Sequence, residues 1–120
     1  SQCGMNLTTL ENSTNISIFD VDGVNETFNL NNHAQFYSNH YQFTAGKCMN
    51  TKVFGPSGVG TFDEVLLYSP DSRAVIFASI LQRDVTGFDL RPHDFEMLVL
   101  ENGHNGETNP TSYFFYLELQ

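Results

Sequence analysis

One stretch of sequence, 61-TFDEVLLYSPDSRAVIFASILQ-82, decides the fold class. Residues 65–69 and 74–78 are rich in β-branched and aromatic side chains, and Pro70-Asp71-Ser72 between them is a turn sequence. The pattern predicts a β-hairpin, and the longer apolar run of residues 73–82 predicts a central strand. Alternation along residues 61–69 places four side chains on one face of the first strand, namely Phe62, Glu64, Leu66 and Tyr68.

Further strand-like runs lie on both sides of this hairpin. They are residues 15–22, 26–30, 47–54, 93–101 and 111–119, separated by turn-rich segments such as 55–60 and 102–106. The aromatic and histidine side chains of residues 31–43 fit a helix as well as a strand, so this segment stays undecided. The number of these strand-like runs and their spacing along the chain predict an all-β fold, a single antiparallel barrel or sandwich of about seven to eight strands. We expect one domain over residues 1–120.

The charge balance limits the partners that the chain can have. Among 120 residues, 5 Lys and Arg stand against 14 Asp and Glu, which gives a net charge of -9. This charge argues against binding to nucleic acid or to an anionic membrane surface. No apolar run approaches the ~20 residues of a membrane-spanning helix, so we expect no membrane insertion.

The cysteines and the Asn-x-Ser/Thr motifs predict an oxidising compartment. Cys3 and Cys48 are the two cysteines and are compatible with one disulfide; the alternative is a pair of buried free thiols. Four glycosylation motifs lie before residue 28, at Asn6, Asn12, Asn15 and Asn25. With 12 Asn and 19 Ser or Thr in 120 residues, chance would give about two. We therefore predict a secreted glycoprotein.

Around the second cysteine the chain resembles a known family. The run 46-GKCMNTKV-53, a Lys-Cys pair opening an early strand before a series of hairpins, is similar to secreted lipocalins. The similarity extends over residues 45–82. It implies an eight-stranded barrel that holds a small ligand, and a disulfide at Cys48. The family's Gly-x-Trp motif is missing, because the chain has no tryptophan.

Motifs for catalysis and for metal binding are absent. There is no Gly-x-Ser-x-Gly elbow, and His33, His40, His93 and His104 form no metal-binding pair, so exposed loop histidines are expected. Asp20, Asp22, Asn25 and Glu26 could supply oxygens to calcium, but the spacing is not that of an EF-hand, and an ordinary turn is favoured. The prediction is a non-enzymatic protein without metal or cofactor.

Acids on apolar strand faces suggest where a ligand would bind. An acid there lines a wet pocket for a cationic group, or else it marks a solvent face. The candidate ligand-binding residues are Phe36, Tyr37, Tyr41, Glu64, Tyr68 and Glu96. The predicted function is to hold a small hydrophobic or cationic ligand in a β-barrel. The alternative is an extracellular β-sandwich that recognises a protein or glycan through loops 55–60 and 102–110.

Overall fold

A computed structural model of the chain describes residues 2–4, 23–54, 60–98, 112 and 114–118. These ranges contain strands and a single turn of helix, which confirms the all-β class. The elements are β1 Gln2–Cys3, α1 Val24–Thr27, β2 Phe36–Ser38, β3 Tyr41–Phe43, β4 Asn50–Phe54, β5 Gly60–Ser69, β6 Ala74–Ser79, β7 Val85–Thr86 and β8 Pro92–His93. The predicted strand over residues 15–22 and the segments 55–59 and 102–110 lie outside the described residues.

Strand β5 is the centre of a four-stranded antiparallel sheet. On one edge it pairs with β6, in a register that runs from Glu64 opposite Ser79 to Ser69 opposite Ala74. The intervening turn ends at Arg73, whose φ of 51° is the left-handed backbone conformation found in tight turns. The hairpin predicted from residues 61–82 is thereby confirmed. The other edge of β5 pairs with β4 and then with β1.

Strands β1 and β4 follow one another along that second edge of β5. The N–H of Gly4 donates to the Leu66 carbonyl at 2.8 Å, and the N–H of Leu66 donates to the Met49 carbonyl at 3.1 Å. A disulfide between Cys3 and Cys48 joins the two segments at this junction, as the sequence predicted. A side chain at Gly4 would meet Leu66, because an added Cβ would lie 2.7 Å from its Cγ. Glycine therefore lets β1 approach β5 closely.

Both faces of β5 are covered, which explains its buried run from Phe62 to Leu67. Side chains of a strand alternate between faces, so Val65 and Leu67 lie on one face and Leu66 on the other. Val65 and Leu67 form a cluster with Phe43 of β3, and a second cluster joins Leu66 to α1. The hairpin of β2 and β3 thus covers one face, and α1 covers the other.

The closed barrel that the sequence predicted as one alternative is not what the described residues form. In the part of the chain that the structure describes, the strands form one four-stranded and two two-stranded sheets, and none closes into a barrel. Strands β1, β7 and β8 contain two residues each and are too short to extend a ladder around a barrel. The central position of residues 73–82 is also wrong: β6 is only partly buried, and β5 holds the centre.

Three further segments differ from their predicted conformations. Residues 26–30 are not a strand, since α1 occupies Val24–Thr27 and the Thr27 hydroxyl donates to the Gly23 carbonyl at 2.7 Å. In the described part of the predicted strand 93–101, which is residues 93–98, His93 belongs to a strand and residues 94–98 belong to no ladder. Residues 114–118, from the predicted strand 111–119, likewise lie outside any strand. The undecided segment 31–43 forms the β2–β3 hairpin, whose turn has φ of 51° and 65° at Asn39 and His40.

Candidate functional site

A row of polar side chains crosses the α1-covered face of the sheet. Glu64 of β5 is directly opposite Thr51 of β4 and Ser79 of β6, so the three side chains share this face. The same alternation places Phe62, Leu66 and Tyr68 on this face, as the sequence predicted. A carboxylate thus lies between two hydroxyl-bearing residues on an otherwise apolar surface.

Glu64 is fully buried and only partly hydrogen-bonded. Its exposed fraction is 0%, and its Oε2 accepts a hydrogen bond of 2.5 Å from the Leu98 N–H. Its Oε1 is buried without a hydrogen-bond partner. Burial raises the pKa of Glu64 from 4.5 to about 7, and the hydrogen bond from Leu98 opposes part of that rise. Near neutral pH this carboxyl group therefore exchanges a proton.

The neighbouring acid shows how a buried carboxylate is stabilised in this sheet. Asp63 points to the opposite face, where its Oδ1 lies 2.5 Å from the Lys52 ammonium. Asn50 adds a hydrogen bond from its amide nitrogen at 3.3 Å. Because Lys52 lies on the face away from Glu64, it forms an ion pair with Asp63 and not with Glu64. Within the described ranges, no cationic side chain forms an ion pair with Glu64.

Residues 94–98, here called the cover segment, lie against this row. The Ser79 hydroxyl donates to the Glu96 carbonyl at 3.2 Å, and the Gln82 N–H donates to the Asp94 carbonyl at 2.6 Å. The third attachment is the bond from the Leu98 N–H to Glu64. Two more hydrogen bonds tie the segment to the chain before it, from the Asp84 N–H to Asp94 Oδ1 at 3.2 Å and from the Phe88 N–H to Glu96 Oε1. None of the five belongs to a regular ladder, and segments held in this way are the ones that open locally.

Glu96 of the cover segment is a second acid with an unsatisfied oxygen. Its Oε1 accepts a hydrogen bond of 2.6 Å from the Phe88 N–H, and its Oε2 is buried without a partner. Ser79 is opposite Glu64 in the sheet and bonded to the Glu96 backbone, so it connects the two acids. The Oε2 of Glu26 in α1 is the third buried oxygen of this kind among the described residues.

The six predicted ligand-binding residues fall into separate groups. Glu64 and Tyr68 lie on the α1-covered face, and Glu96 reaches that face through the cover segment. The hairpin residues Phe36 and Tyr41 belong to the layer over the opposite face, and Tyr37 points to the other side of the hairpin. The structure thus brings the backbone of Glu96, though not its carboxylate, to the row that contains Glu64, and it leaves Phe36, Tyr37 and Tyr41 elsewhere.

A row of stacked rings runs through that hairpin. Phe36 and Phe43 stack with ring centroids 4.8 Å apart. His33 contacts Phe36 edge-on at 5.4 Å, and Tyr41 contacts Phe43 edge-on at 5.0 Å. The row begins in the core, where His33 is 1% exposed, and ends at Tyr41, which is 50% exposed. Phe43 and Phe36 of this row pack against the sheet cluster of Val65 and Leu67.

His33 corrects the expectation of exposed loop histidines. Its Nε2 accepts a hydrogen bond of 2.9 Å from the Cys48 N–H, and its Nδ1 lies 2.8 Å from the Ala34 carbonyl. An acceptor at Nε2 requires the proton on Nδ1, which then donates to Ala34. His40 is exposed, and His104 lies outside the described residues. No local pattern points to this role of His33, because its partner, the Cys48 N–H, is distant in the chain.

No metal centre is found among the residues that the structure describes, since none of their His, Cys, Asp and Glu side chains form a group of three or more suited to hold an ion. Asp20 and Asp22 lie outside these residues. No helix in the described ranges is long and apolar enough to cross a membrane. Comparison of the chain with family models, with curated proteins and with solved structures finds no match.

Proposed function

We propose that the protein is a non-enzymatic extracellular binding protein for a small organic cation, whose ammonium group is bound by Glu64. The observation that carries the proposal is the buried Oε1 of Glu64, which has no hydrogen-bond partner. The disulfide supports an extracellular location. The exposed Asn25, which lies in a glycosylation motif, is consistent with the same location. The lipocalin-like carrier role remains part of this proposal, with a cleft in place of a closed barrel.

A buried carboxylate is costly unless a cation or several hydrogen bonds compensate it. Asp63 has both kinds of partner, through Lys52 and Asn50. Glu64 has a single hydrogen bond, from the Leu98 N–H. An ammonium group carries three N–H donors and one positive charge, so it supplies both a hydrogen bond to Oε1 and the counter-charge that Glu64 lacks. The hydroxyls of Thr51 and Ser79 offer further acceptors in the same row.

The ligand reaches Glu64 when the cover segment moves away from the sheet. Opening breaks the hydrogen bonds from Ser79, from Gln82 and from Leu98. The bonds from the Asp84 and Phe88 N–H groups keep the segment attached to the chain that precedes it. Glu96 belongs to the segment that moves, and its carboxylate stays bonded to the Phe88 N–H, so Glu64 is the group that binds the cation. The apolar side chain of Phe62 on the same face favours a ligand with a hydrocarbon body, whereas Leu66 stays packed against α1.

Binding of a cation is coupled to proton release. The pKa of free Glu64 is about 7, and a bound ammonium lowers the pKa because it favours the charged carboxylate. Titration calorimetry in two buffers of different ionisation enthalpy measures this directly. We expect release of about one proton per bound amine near pH 6 and a smaller fraction near pH 8.

The test uses hexylamine and phenethylamine as ligands and hexanol as the neutral counterpart. We expect binding of at least one amine, no binding of hexanol, and a loss of affinity of about tenfold or more in Glu64→Gln. Glu118→Gln is the matched control, because it removes the same charge from an exposed position. Equal affinity of hexanol and the amines, or unchanged binding by Glu64→Gln, would overturn the proposal.

Native mass spectrometry of protein from a eukaryotic secretory source tests the extracellular part of the proposal. Attached glycans and the intact disulfide would support it, and a co-purified amine would identify the ligand. The alternative of an interaction module that uses loops 55–60 and 102–110 rests on residues that lie mostly outside the described ranges.

A further inference from the structure

The loop between β7 and β8, residues 87–91, is here called the Gly87 loop. Val85 is opposite His93 and Thr86 is opposite Pro92, so the loop has five residues. The Gly87 N–H donates to the Arg91 carbonyl at 2.8 Å. The Leu90 N–H donates back to the Gly87 carbonyl at 3.1 Å. The loop thus has a defined backbone conformation of its own.

Two carboxylates outside the backbone ladder fix the loop further. Glu96 accepts from the Phe88 N–H at 2.6 Å, and Asp89 accepts from the Arg91 N–H at 3.0 Å. Asp89 also lies 2.7 Å from His93 Nε2. Gly87 is required where the chain enters the loop, because an added Cβ would lie 2.5 Å from His93 Cδ2 and also against the Glu96 carboxylate. Most of the polar backbone of the loop is therefore already bound.

The apolar side chains of the same loop face solvent. Phe88 is 79% exposed and Leu90 is 73% exposed. Leu90 has a φ of 70°, a left-handed conformation that a leucine adopts at an energetic cost. A loop that is tightly hydrogen-bonded, strained at one residue and apolar at its tip has the properties of a preorganised contact, since little side-chain or backbone freedom is lost when a partner binds.

From this geometry we infer that the Gly87 loop is a docking site for a partner protein, with Phe88 and Leu90 inserting into an apolar pocket that has a basic rim. Large exposed aromatic and aliphatic side chains are the usual anchors of protein interfaces. Within the loop, Asp89 and Arg91 balance each other. The basic rim follows from the charge around the loop, where the exposed Asp84 and Asp94 stand against Arg83, and from the net charge of -9 of the chain. The same net charge repels anionic lipid surfaces and a second copy of the chain. This docking site does not contain Glu64, and Glu96 is the residue that it shares with the cover segment of the cation site.

The test is a selection of random peptides displayed on phage, with the full chain as bait. Enriched peptides are expected to combine Lys or Arg with apolar residues, and their affinity is expected to fall as salt rises from about 50 to about 300 mM. In the double variant F88S/L90S we expect affinity to fall about tenfold or more. The matched control is Phe114→Ser, because Phe114 is 80% exposed and lies outside the loop; its affinity should stay unchanged.

A second variant separates loop geometry from simple hydrophobicity. Gly87→Ala keeps Phe88 and Leu90 but displaces Glu96 and His93, and we expect it to weaken the same peptides. Amide NMR spectra of each variant verify that the sheet is intact. The inference is overturned if no peptide is enriched or if the enriched peptides bind F88S/L90S as tightly as the original protein. It is also overturned if the loop variant abolishes self-association in sedimentation or binding to phosphatidylserine vesicles instead, because the occupant would then be a second copy or a membrane.

Discussion

Asp63 and Glu64 are adjacent in β5, and the structure gives them opposite electrostatic environments. Asp63 meets the Lys52 ammonium at 2.5 Å on one face of the sheet. Glu64 points to the other face, where its one hydrogen-bond partner among the described residues is the Leu98 N–H. A difference of one residue therefore separates a compensated carboxylate from an uncompensated one, because successive side chains of a strand lie on opposite faces.

The first prediction concerns the dependence of stability on pH. The folded-state pKa of Glu64 is raised from 4.5 to about 7, so the folded state binds a proton that the unfolded state has lost. The contribution of Glu64 is fully present below pH 4.5 and is lost as pH rises through about 7. The full change is roughly 3 kcal/mol, from the pKa difference. Urea denaturation from pH 4 to pH 8 measures it.

Glu64→Gln isolates this contribution. The variant should lack that part of the pH dependence and should be more stable than the original protein near pH 8, since the amide carries no charge to bury. Asp71→Asn in the exposed β5–β6 turn is the control and should retain the original slope. A parallel pH dependence of Glu64→Gln and the original protein would contradict the assignment.

The second prediction concerns the protonation of His33. Because its Nε2 accepts from the Cys48 N–H, the neutral ring should carry its proton on Nδ1. Long-range ¹H–¹⁵N NMR spectra distinguish the two tautomers. The exposed His40 serves as the reference within the same spectrum. Observation of the Nε2–H tautomer at His33 would mean that the hydrogen bond to Cys48 is not formed.

The third prediction concerns the disulfide. Its cysteines are 45 residues apart in sequence, and closure of a loop of that size stabilises a folded chain by roughly 3–4 kcal/mol. The double variant C3A/C48A should lose about this free energy of unfolding. Treatment of the original protein with a reductant should give a similar loss in chemical denaturation. A variant as stable as the original protein would show that β1 is held by its pairing with β5 alone.

The fourth prediction compares two rings of the hairpin. Phe43 is 1% exposed and packs against Val65 and Leu67, whereas Tyr41 is 50% exposed. Phe43→Ala should lower the free energy of unfolding by about 3–5 kcal/mol, because it leaves a cavity in the core. Tyr41→Ala should cost about 1 kcal/mol, the amount expected from one ring contact at the surface. Comparable losses in denaturation experiments would argue against the described placement of the hairpin.

The fifth prediction concerns glycosylation at Asn25. This residue is exposed at the surface in α1, so its side chain is accessible to a glycan. When the protein is expressed in a eukaryotic secretory pathway, Asn25→Gln should reduce the mass by one N-linked glycan. The motifs at Asn6, Asn12 and Asn15 provide internal comparisons in the same spectrum. An unchanged mass would place any glycans on those three residues.

Local patterns explain what the sequence predicted correctly. The β5–β6 hairpin follows from two alternating runs around Pro70, and the disulfide follows from there being one possible pair of cysteines. The prediction of residues 73–82 as the central strand is wrong, because residues 61–69 are apolar as well and local pattern does not distinguish the two runs. Which of the two runs becomes the central strand depends on which one is covered on both faces. The covering elements are α1 and the β2–β3 hairpin, and their positions depend on contacts distant in sequence.

The site was predicted in part for the same reason. Alternation identified Glu64 as an acid on an apolar face, but its missing counter-charge depends on Lys52 lying on the opposite face. The proximity of Glu96 depends on its bond with Ser79, which no local pattern encodes. For Phe36 and Tyr41 ligand binding stays a prediction, because aromatic residues serve packing and recognition equally well.

The junction of β1 and β4 has a consequence for the cooperativity of folding. The chain leaves the edge of β5 after Gly4 and returns to it at Met49, so the two segments occupy the length of one edge strand. The described residues between them, 23–48, supply the covers of both faces, α1 on one and the β2–β3 hairpin on the other. The disulfide joins the two ends of the chain segment that contains them. Because one continuous stretch of chain supplies both layers, its detachment would uncover both faces of β5 at once.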